Sequence, residues 1–378
     1  MTQKTVLIAP DKFKGTLTAL EAAAAMQAAV HRIWPTASII RLGLADGGDG
    51  TCTAALAAGG TEHSTTVTGP LGRPVPAAWV RLGETAVLEM ANASGLRHVE
   101  PTPENALRAS TFGTGELIRA ALDDGATRIV IGLGGSATTD GGAGAVQALG
   151  VKILDANHNP IPEGGAGLGT ARSIDLTGMD PRLSQMEIVM ACDVTNPLCG
   201  PNGAAHVYAA QKGANPGARI ALDAALAYWA HLLRSISGVD VSKLPRAGAA
   251  GGFPAAFMAL TNATMQPGAD LVFDLINVDE ALAAADLVLT GEGSLDDQSI
   301  QGKAPIALAQ RARTSGIDAI AIAGKLELDQ ATLAPHGIVV AESAAQHAPS
   351  LQDAMRNPRH YLEKATESAL HQYERIRQ

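Results

Sequence analysis

Short apolar runs that end in glycine-bearing, charged loops and lead into helices recur along this chain, and that grammar limits its fold more than any other feature. Val6-Leu7-Ile8-Ala9 has no polar alternation, as expected of a strand buried on both faces. Pro10-Asp11-Lys12-Phe13-Lys14-Gly15 follows, and Thr18-Ala19-Leu20-Glu21 has the spacing of a capping box. A helix then carries apolar Leu20, Ala23, Ala24, Val30, Ile33 and Trp34 until Pro35 stops it. Residues 38–44 read as the next strand, ending in Ala45-Asp46-Gly47-Gly48-Asp49-Gly50, and a short alanine-rich helix closes at Gly59-Gly60. The pattern returns late in the chain, with strands over 286–290, 318–323 and 338–341 and helices over 303–314 and 359–377. Alternation of this kind favours parallel pairing. Two early and three late strands are therefore expected to form one five-stranded parallel sheet of flavodoxin-like size.

The stretch between reads differently. It opens with hairpin material at 65–68, 77–82 and 86–90 around the turn Pro70-Leu71-Gly72-Arg73-Pro74. A helix over 114–124, a strand over 128–133, a glycine-rich loop with a short helix to Leu149, strands over 151–154 and 187–191 and a long helix near 218–237 follow. The expected architecture is α/β and two-domain: a flavodoxin-like parallel-sheet domain over 1–65 plus 275–378, with a second α/β domain inserted over 66–274.

Composition narrows the function. The 378 residues carry 28 Lys and Arg against 37 Asp and Glu, a formal charge of −9, with no basic run. That argues against nucleic acid and against an anionic membrane surface, and no stretch is apolar enough to suggest a membrane span. Three cysteines, Cys52, Cys192 and Cys199, cannot all pair and lack metal spacing, so a reducing, cytoplasmic setting is expected. The start, MTQKTVLIAPD, has no signal-peptide pattern. A homodimer is a possible assembly on base rates alone, since two-fold dimers are the commonest oligomers, and the sequence does not fix the oligomeric state.

Ligands of open parallel sheets bind beyond the carboxyl ends of the strands. Three charged loops are expected there: Asp11 to Gly15, Asp46 to Thr51, and Gly291-Glu292-Gly293-Ser294-Leu295-Asp296-Asp297-Gln298. Any one alone reads as a solvated turn. Three on one edge bring lysines, carboxylates and backbone N–H groups together, and carboxylates with no matching arginine suggest Mg²⁺. In the middle region, Ile131-Gly132-Leu133-Gly134-Gly135-Ser136-Ala137-Thr138-Thr139-Asp140-Gly141-Gly142 suits a phosphate cradle. It also meets a degenerate dinucleotide fingerprint through Gly132, Gly134 and Ala137, with Asp155 after the next strand. Asp193 and Asn196, in Cys192-Asp193-Val194-Thr195-Asn196-Pro197, either orient a substrate hydroxyl, hold a metal, or close an Asx-turn. Gly248-Ala249-Ala250-Gly251-Gly252 is a close-approach segment, and the cysteines read as small core residues.

Taken together, these segments closely resemble the type I glycerate kinase family of bacteria. The resemblance rests on IAPDKFKGTL (8–17), ADGGDGT (45–51), TGPLGRPV (68–75), GLGGSATTDGGAGAVQALG (132–150), ACDVTNPLCGPNGAA (191–205), GAAGGF (248–253) and TGEGSLDDQSIQGKAPI (290–306). It runs in order over nearly the whole chain and fades after about residue 325. Ser294 stands where many relatives have Arg, and Asp49 where many have Glu. The resemblance implies a flavodoxin-like domain plus a second α/β domain, and ATP- and Mg²⁺-dependent phosphorylation of D-glycerate. The product expected from it is 2-phosphoglycerate, in glyoxylate and sugar-acid breakdown.

Within that reading Asp193 is the expected base or orienter of the attacking hydroxyl, with Asp140 the runner-up. Lys14 and Lys303 contact phosphate or carboxylate, and Lys12 contributes less. Gly134, Gly135, Ser136, Thr138, Thr139, Gly291 and Gly293 are expected at the nucleotide, and Asp46, Gly47, Asn196 and Gln298 at the substrate. Asp46, Glu292 and Asp296 are expected at Mg²⁺. The competing readings are an NAD-dependent dehydrogenase of a small hydroxy acid, resting on the Gly132/Gly134/Ala137 pattern, and a non-catalytic nucleotide or metabolite sensor.

Overall fold

The structure is a computed structural model that describes residues 4–48 and 50–378. Asp49 lies outside the described residues. The chain divides into two compact units, Met1–Asp46 with Gly268–Gln378, and Gly47–Pro267.

The first unit is built on the expected five-stranded sheet. Its order is Ile338–Ser343, Asp318–Leu326, Leu287–Leu295, Thr5–Pro10, Ser38–Arg41, and every neighbouring pair is parallel. Numbered by sequence within this unit, that is the flavodoxin order 2-1-3-4-5, whose switch point lies between the first and third strands. Thr5–Pro10 and Leu287–Leu295 are those strands. The helix Ala19–Ile33 begins as its sequence predicts: the Glu21 amide donates to Thr18 Oγ1 at 3.2 Å and the Thr18 amide to Glu21 Oε2 at 2.8 Å. Its buried Ala22, Met26 and Val30 share one core with Val6, Ile8, Leu289, Ile320 and Ile322 of the sheet. Leu362, Ala369 and Leu370 of the C-terminal helix Pro358–Arg377 close that core.

Leu287–Leu295 runs well past the expected end at 290. Its pairing with Asp318–Leu326 continues through Ser294↔Lys325 and Leu295↔Leu326. Gly291 is thus a strand-interior residue rather than a loop residue. A Cβ there would lie 1.8 Å from the Ile322 carbonyl oxygen, so the glycine allows the strands to approach. This packing by itself requires glycine at 291.

The second unit holds a six-stranded mixed sheet, ordered Thr264–Gln266, Glu187–Ala191, Arg128–Gly132, Thr85–Glu89, Pro74–Leu82, Thr61–Thr68. The first four are mutually parallel and the last two complete an antiparallel meander. The passage into this unit falls at 46/47, not near 65. Glu89 Oε1 accepts the amides of Gly50 and Cys52 at 3.0 and 2.9 Å, which ties the helix Thr51–Ala57 to the end of Thr85–Glu89. Lys152–Leu154 does not join the main sheet but pairs antiparallel with Ser173–Asp175. Asp155 accepts the amides of Asn157 and Asn159 in the turn that follows. A dinucleotide site needs its acidic residue at the end of the neighbouring parallel strand, so the dehydrogenase reading loses its structural basis.

Candidate functional site

The first unit has a pocket of about 460 Å³ at its switch point. Asp11, Lys12, Phe13 and Lys14 reach it from the end of Thr5–Pro10, and Asp46 from beyond Ser38–Arg41. Glu292, Gly293, Asp296, Gln298 and Lys303 reach it from the third strand and the turn that follows. Most of the residues proposed from sequence for phosphate and metal contact are therefore gathered at one place. The opposite end is apolar, lined by Ala344, Leu351, Ala354, Met355 and Leu362. Leu351 and Met355 are each 53% exposed, unusual for large apolar side chains.

Electrostatics at the polar end are tense. Lys303 is the N-cap residue of the helix Ala304–Thr314, and its Nζ lies 3.2 Å from Glu292 Oε2 and 3.7 Å from Asp296 Oδ1. Glu292 is nevertheless pushed up: burial outweighs the pull of Ser299 and Lys303, and the Asp296 charge adds to the rise. Glu292 Oε1 is buried with no hydrogen-bond partner. Asp296 goes the other way, because burial is outweighed by the Lys303 charge and the amides of Gln298 and Ser299. Asp11 is raised to about 6, first by burial and then by the Asp46 and Glu292 charges, against the opposing effect of the Lys12 amide. Sequence reasoning placed Asp11 in the loop but gave it no role. Its signal was position, one residue beyond a buried strand.

These groups suit a divalent cation. A crowded set of carboxylates with one orphaned oxygen is relieved by positive charge. Among the described residues no three His, Cys, Asp or Glu side chains form a ready-made metal cage. Mg²⁺ needs no such cage, since it keeps waters and is held by one or two carboxylates with phosphate oxygens.

In the second unit, the loop after Arg128–Gly132 is fixed from behind. Asp140 is 1% exposed. Its Oδ2 accepts the amide and hydroxyl of Thr111, each at 2.8 Å, and the Gly144 amide at 3.2 Å, while Oδ1 accepts the Gly142 amide at 3.3 Å. Burial raises its pKa against these four donors. Asp140 therefore clasps the loop and does not face solvent as a base would. Gly251 has φ +72° and a Cβ there would stand 1.9 Å from the Thr138 carbonyl oxygen, so the 248–252 segment serves loop packing. Ala250, at φ 49°, shares the strain of that turn. The turn at Gly47 and Gly48 lies over Gly132, whose added Cβ would be 2.9 Å from the Gly47 oxygen. Gly134 and Gly135 are the accessible part of the loop, Ser136 is barely so, and Thr138 and Thr139 are buried with hydroxyls lacking partners.

Asp193 stands two residues beyond Glu187–Ala191 and is exposed. Asn196 is engaged at both ends, donating to the Asn202 carbonyl oxygen at 2.9 Å and accepting the Tyr208 hydroxyl at 2.6 Å. Neither bond closes an Asx-turn; both brace the segment from Asn196 to Tyr208. Burial pushes the Cys192 and Cys199 thiols up to about 11 and about 12, which disfavours the thiolate and any nucleophilic use. Lys212, not singled out in the sequence, is fully buried behind the loop. A lone lysine in Ala-Ala-Gln-Lys-Gly reads as a surface residue, and no sequence signal marks it otherwise.

A model of the glycerate kinase family matches residues 6–374. The glycerate 2-kinase of Escherichia coli (strain K12) is 45% identical over 354 residues, covering 93% of each chain. The glycerate kinase of Halalkalibacterium halodurans is 43% identical over 364 residues, 96% of each. A crystal structure from Salmonella typhimurium LT2, provisionally named glycerate kinase 2, superposes with a TM-score of 0.89 at 42% identity and full coverage of both chains.

The raised Asp11 carboxyl sets a stability test. Between the ordinary carboxylate value and about 6 the folded state binds more protons than the unfolded one, so the penalty grows with pH and is complete above about 6. Asp11→Asn is expected to raise the thermal midpoint by a few degrees at pH 8, with the gain vanishing below about pH 4. A variant no more stable than the parent at pH 8 would show that the carboxylate is not under strain.

Proposed function

The chain belongs to the glycerate kinase family, and from that premise we propose that it transfers the γ-phosphoryl group of ATP to D-glycerate, giving 2-phosphoglycerate and ADP. The observation that carries this reading is the two-ended pocket at the switch point of the first unit. Its polar end has the lysines and carboxylates that phosphoryl transfer requires, and its apolar end suits a base. The assignment of the 2-hydroxyl is supported by the relative named glycerate 2-kinase.

Phosphoryl transfer is mainly positioning and charge stabilisation. Lys14 and Lys303 would contact the phosphates, with Lys12 and Gly293 beside them, and the helix that starts after Lys303 adds its own positive end. Of Glu292, Asp46, Asp296 and Asp11, one or two would hold Mg²⁺ directly and the others through its waters. When bound, the ion neutralises charge that builds on the phosphate oxygens. Gln298 stands at the rim, where it would meet substrate or phosphate. The Gly134 to Thr139 loop would receive an anionic group through Ser136 and backbone amides. Asp193 would accept or orient the proton of the attacking hydroxyl, since Asp140 is buried and takes four hydrogen bonds from Thr111, Gly142 and Gly144.

Three outcomes are expected. ADP release from ATP should require both D-glycerate and Mg²⁺, stop with EDTA, and give 2-phosphoglycerate by proton NMR. Turnover without glycerate would remove the reading, and 3-phosphoglycerate would correct its regiochemistry. Asp193→Asn should lower kcat by more than about tenfold, or roughly 1.4 kcal/mol; a smaller loss would clear it of the base role. Leu351→Ala combined with Met355→Ala should raise KM for ATP about tenfold and leave KM for glycerate unchanged. An unchanged KM for ATP would take the base elsewhere.

A further inference from the structure

Lys212 is 2% exposed, at the end of the short turn Ala210–Lys212. Its Nζ donates to Ser136 Oγ at 2.9 Å and to the Thr138 carbonyl oxygen at 2.6 Å, both in the Gly134 to Thr139 loop. Both partners are uncharged. An ammonium taken out of water without a carboxylate against it is costly, and such lysines are rare. Asp140 is the one charge acting on it, yet that carboxylate is engaged by four donors elsewhere and forms no ion pair with Lys212. The adjoining helix Ala204–Tyr208 brings His206 and Tyr208, which are directed elsewhere: His206 to Asp223 at 3.8 Å, Tyr208 to Asn196.

The hydrogen-bond directions carry the argument further. An ammonium can only donate, so Ser136 Oγ must accept from Lys212 and its own proton is turned away from the lysine. Ser136 lies next to exposed Gly135, and the loop has two more hydroxyls, on Thr138 and Thr139, with no partner. The arrangement is a donor relay that lacks its final acceptor.

We propose that Lys212 is a positioning residue that arms Ser136 to donate to a small anion, a carboxylate or a phosphate, and that anion binding in this loop draws a proton onto Lys212. This rests on the loop being the anion receiver of the proposed reaction. Burial lowers the Lys212 ammonium to about 7, so it is partly neutral near pH 7 in the ligand-free protein. A bound anion favours the charged form and raises that value. Anion affinity is therefore greatest below about pH 7 and declines as pH rises through the anion-bound pKa.

The test is the thermal shift produced by D-glycerate and, separately, by inorganic phosphate at pH 6.5 and 8.5, alongside kcat/KM for glycerate from pH 6 to 9. In the wild type at least one anion should give a larger shift at pH 6.5, and that anion identifies the group received. Lys212→Met should abolish the pH dependence and lower kcat/KM at least about thirtyfold. Lys212→Arg, charged across the range, should retain binding with a flat profile. Should Lys212→Met not fold, Lys212→Arg and Ser136→Ala decide: a wild-type pH profile in Lys212→Arg, or full anion shift in Ser136→Ala, overturns the proposal. Anion shifts that are equal at both pH values in the wild type overturn it as well. An enzyme that binds anions as described but turns over no glycerate would remove the kinase reading and leave the relay standing.

Discussion

In the first unit everything follows from a change of direction in strand order. The chain lays Ser38–Arg41 on one side of Thr5–Pro10, then Leu287–Leu295 and its successors on the other. Connections leaving the two central strands diverge to opposite faces, and a crevice must open at their carboxyl ends. Because Leu287–Leu295 extends past Pro10, it carries Glu292 into that crevice on a paired strand rather than on a mobile loop. The polar end of the pocket is consequently rigid where charge matters most. Its carboxylates are crowded together, and burial with neighbouring charge raises Asp11 and Glu292.

The second unit solves a similar problem by different means. Its glycine-rich loop gains rigidity from close backbone approach and not from pairing. Gly251 and Gly142 admit neighbouring carbonyls where any Cβ would collide, Asp140 gathers donors from Thr111 and from the Gly142 and Gly144 amides, and Trp229 Nε1 donates to the Gly141 oxygen at 3.0 Å. Much of the glycine content here thus serves packing behind the loop. Only Gly134 and Gly135 are open to a ligand.

The sheet of the first unit was legible because buried parallel strands read as continuous apolar runs, and five such runs appeared at α/β spacing. The capping box at Thr18 and Glu21 was legible for the same local reason. The passage between units was not, since the tie between Glu89 and the Gly50 and Cys52 amides joins residues nearly forty apart. Residues 151–154 had a strand's composition, but composition does not say which sheet a strand joins. Gly291 looked like a loop glycine because its crowding comes from Ile322 on another strand. Loop motifs marked where charge would gather, yet Asp11 and Lys212 owe their character to burial. Leu351 and Met355 lie beyond the reach of the motifs and read as ordinary helix residues.

The central claim is that the switch-point pocket of the first unit takes the nucleotide. A crystal structure of the protein with Mg²⁺ and a non-hydrolysable ATP analogue tests it most directly. The account predicts phosphates between Lys14 and Lys303, a cation on Glu292, and the base against Leu351 and Met355. A nucleotide bound elsewhere, with this pocket holding only water, would contradict it.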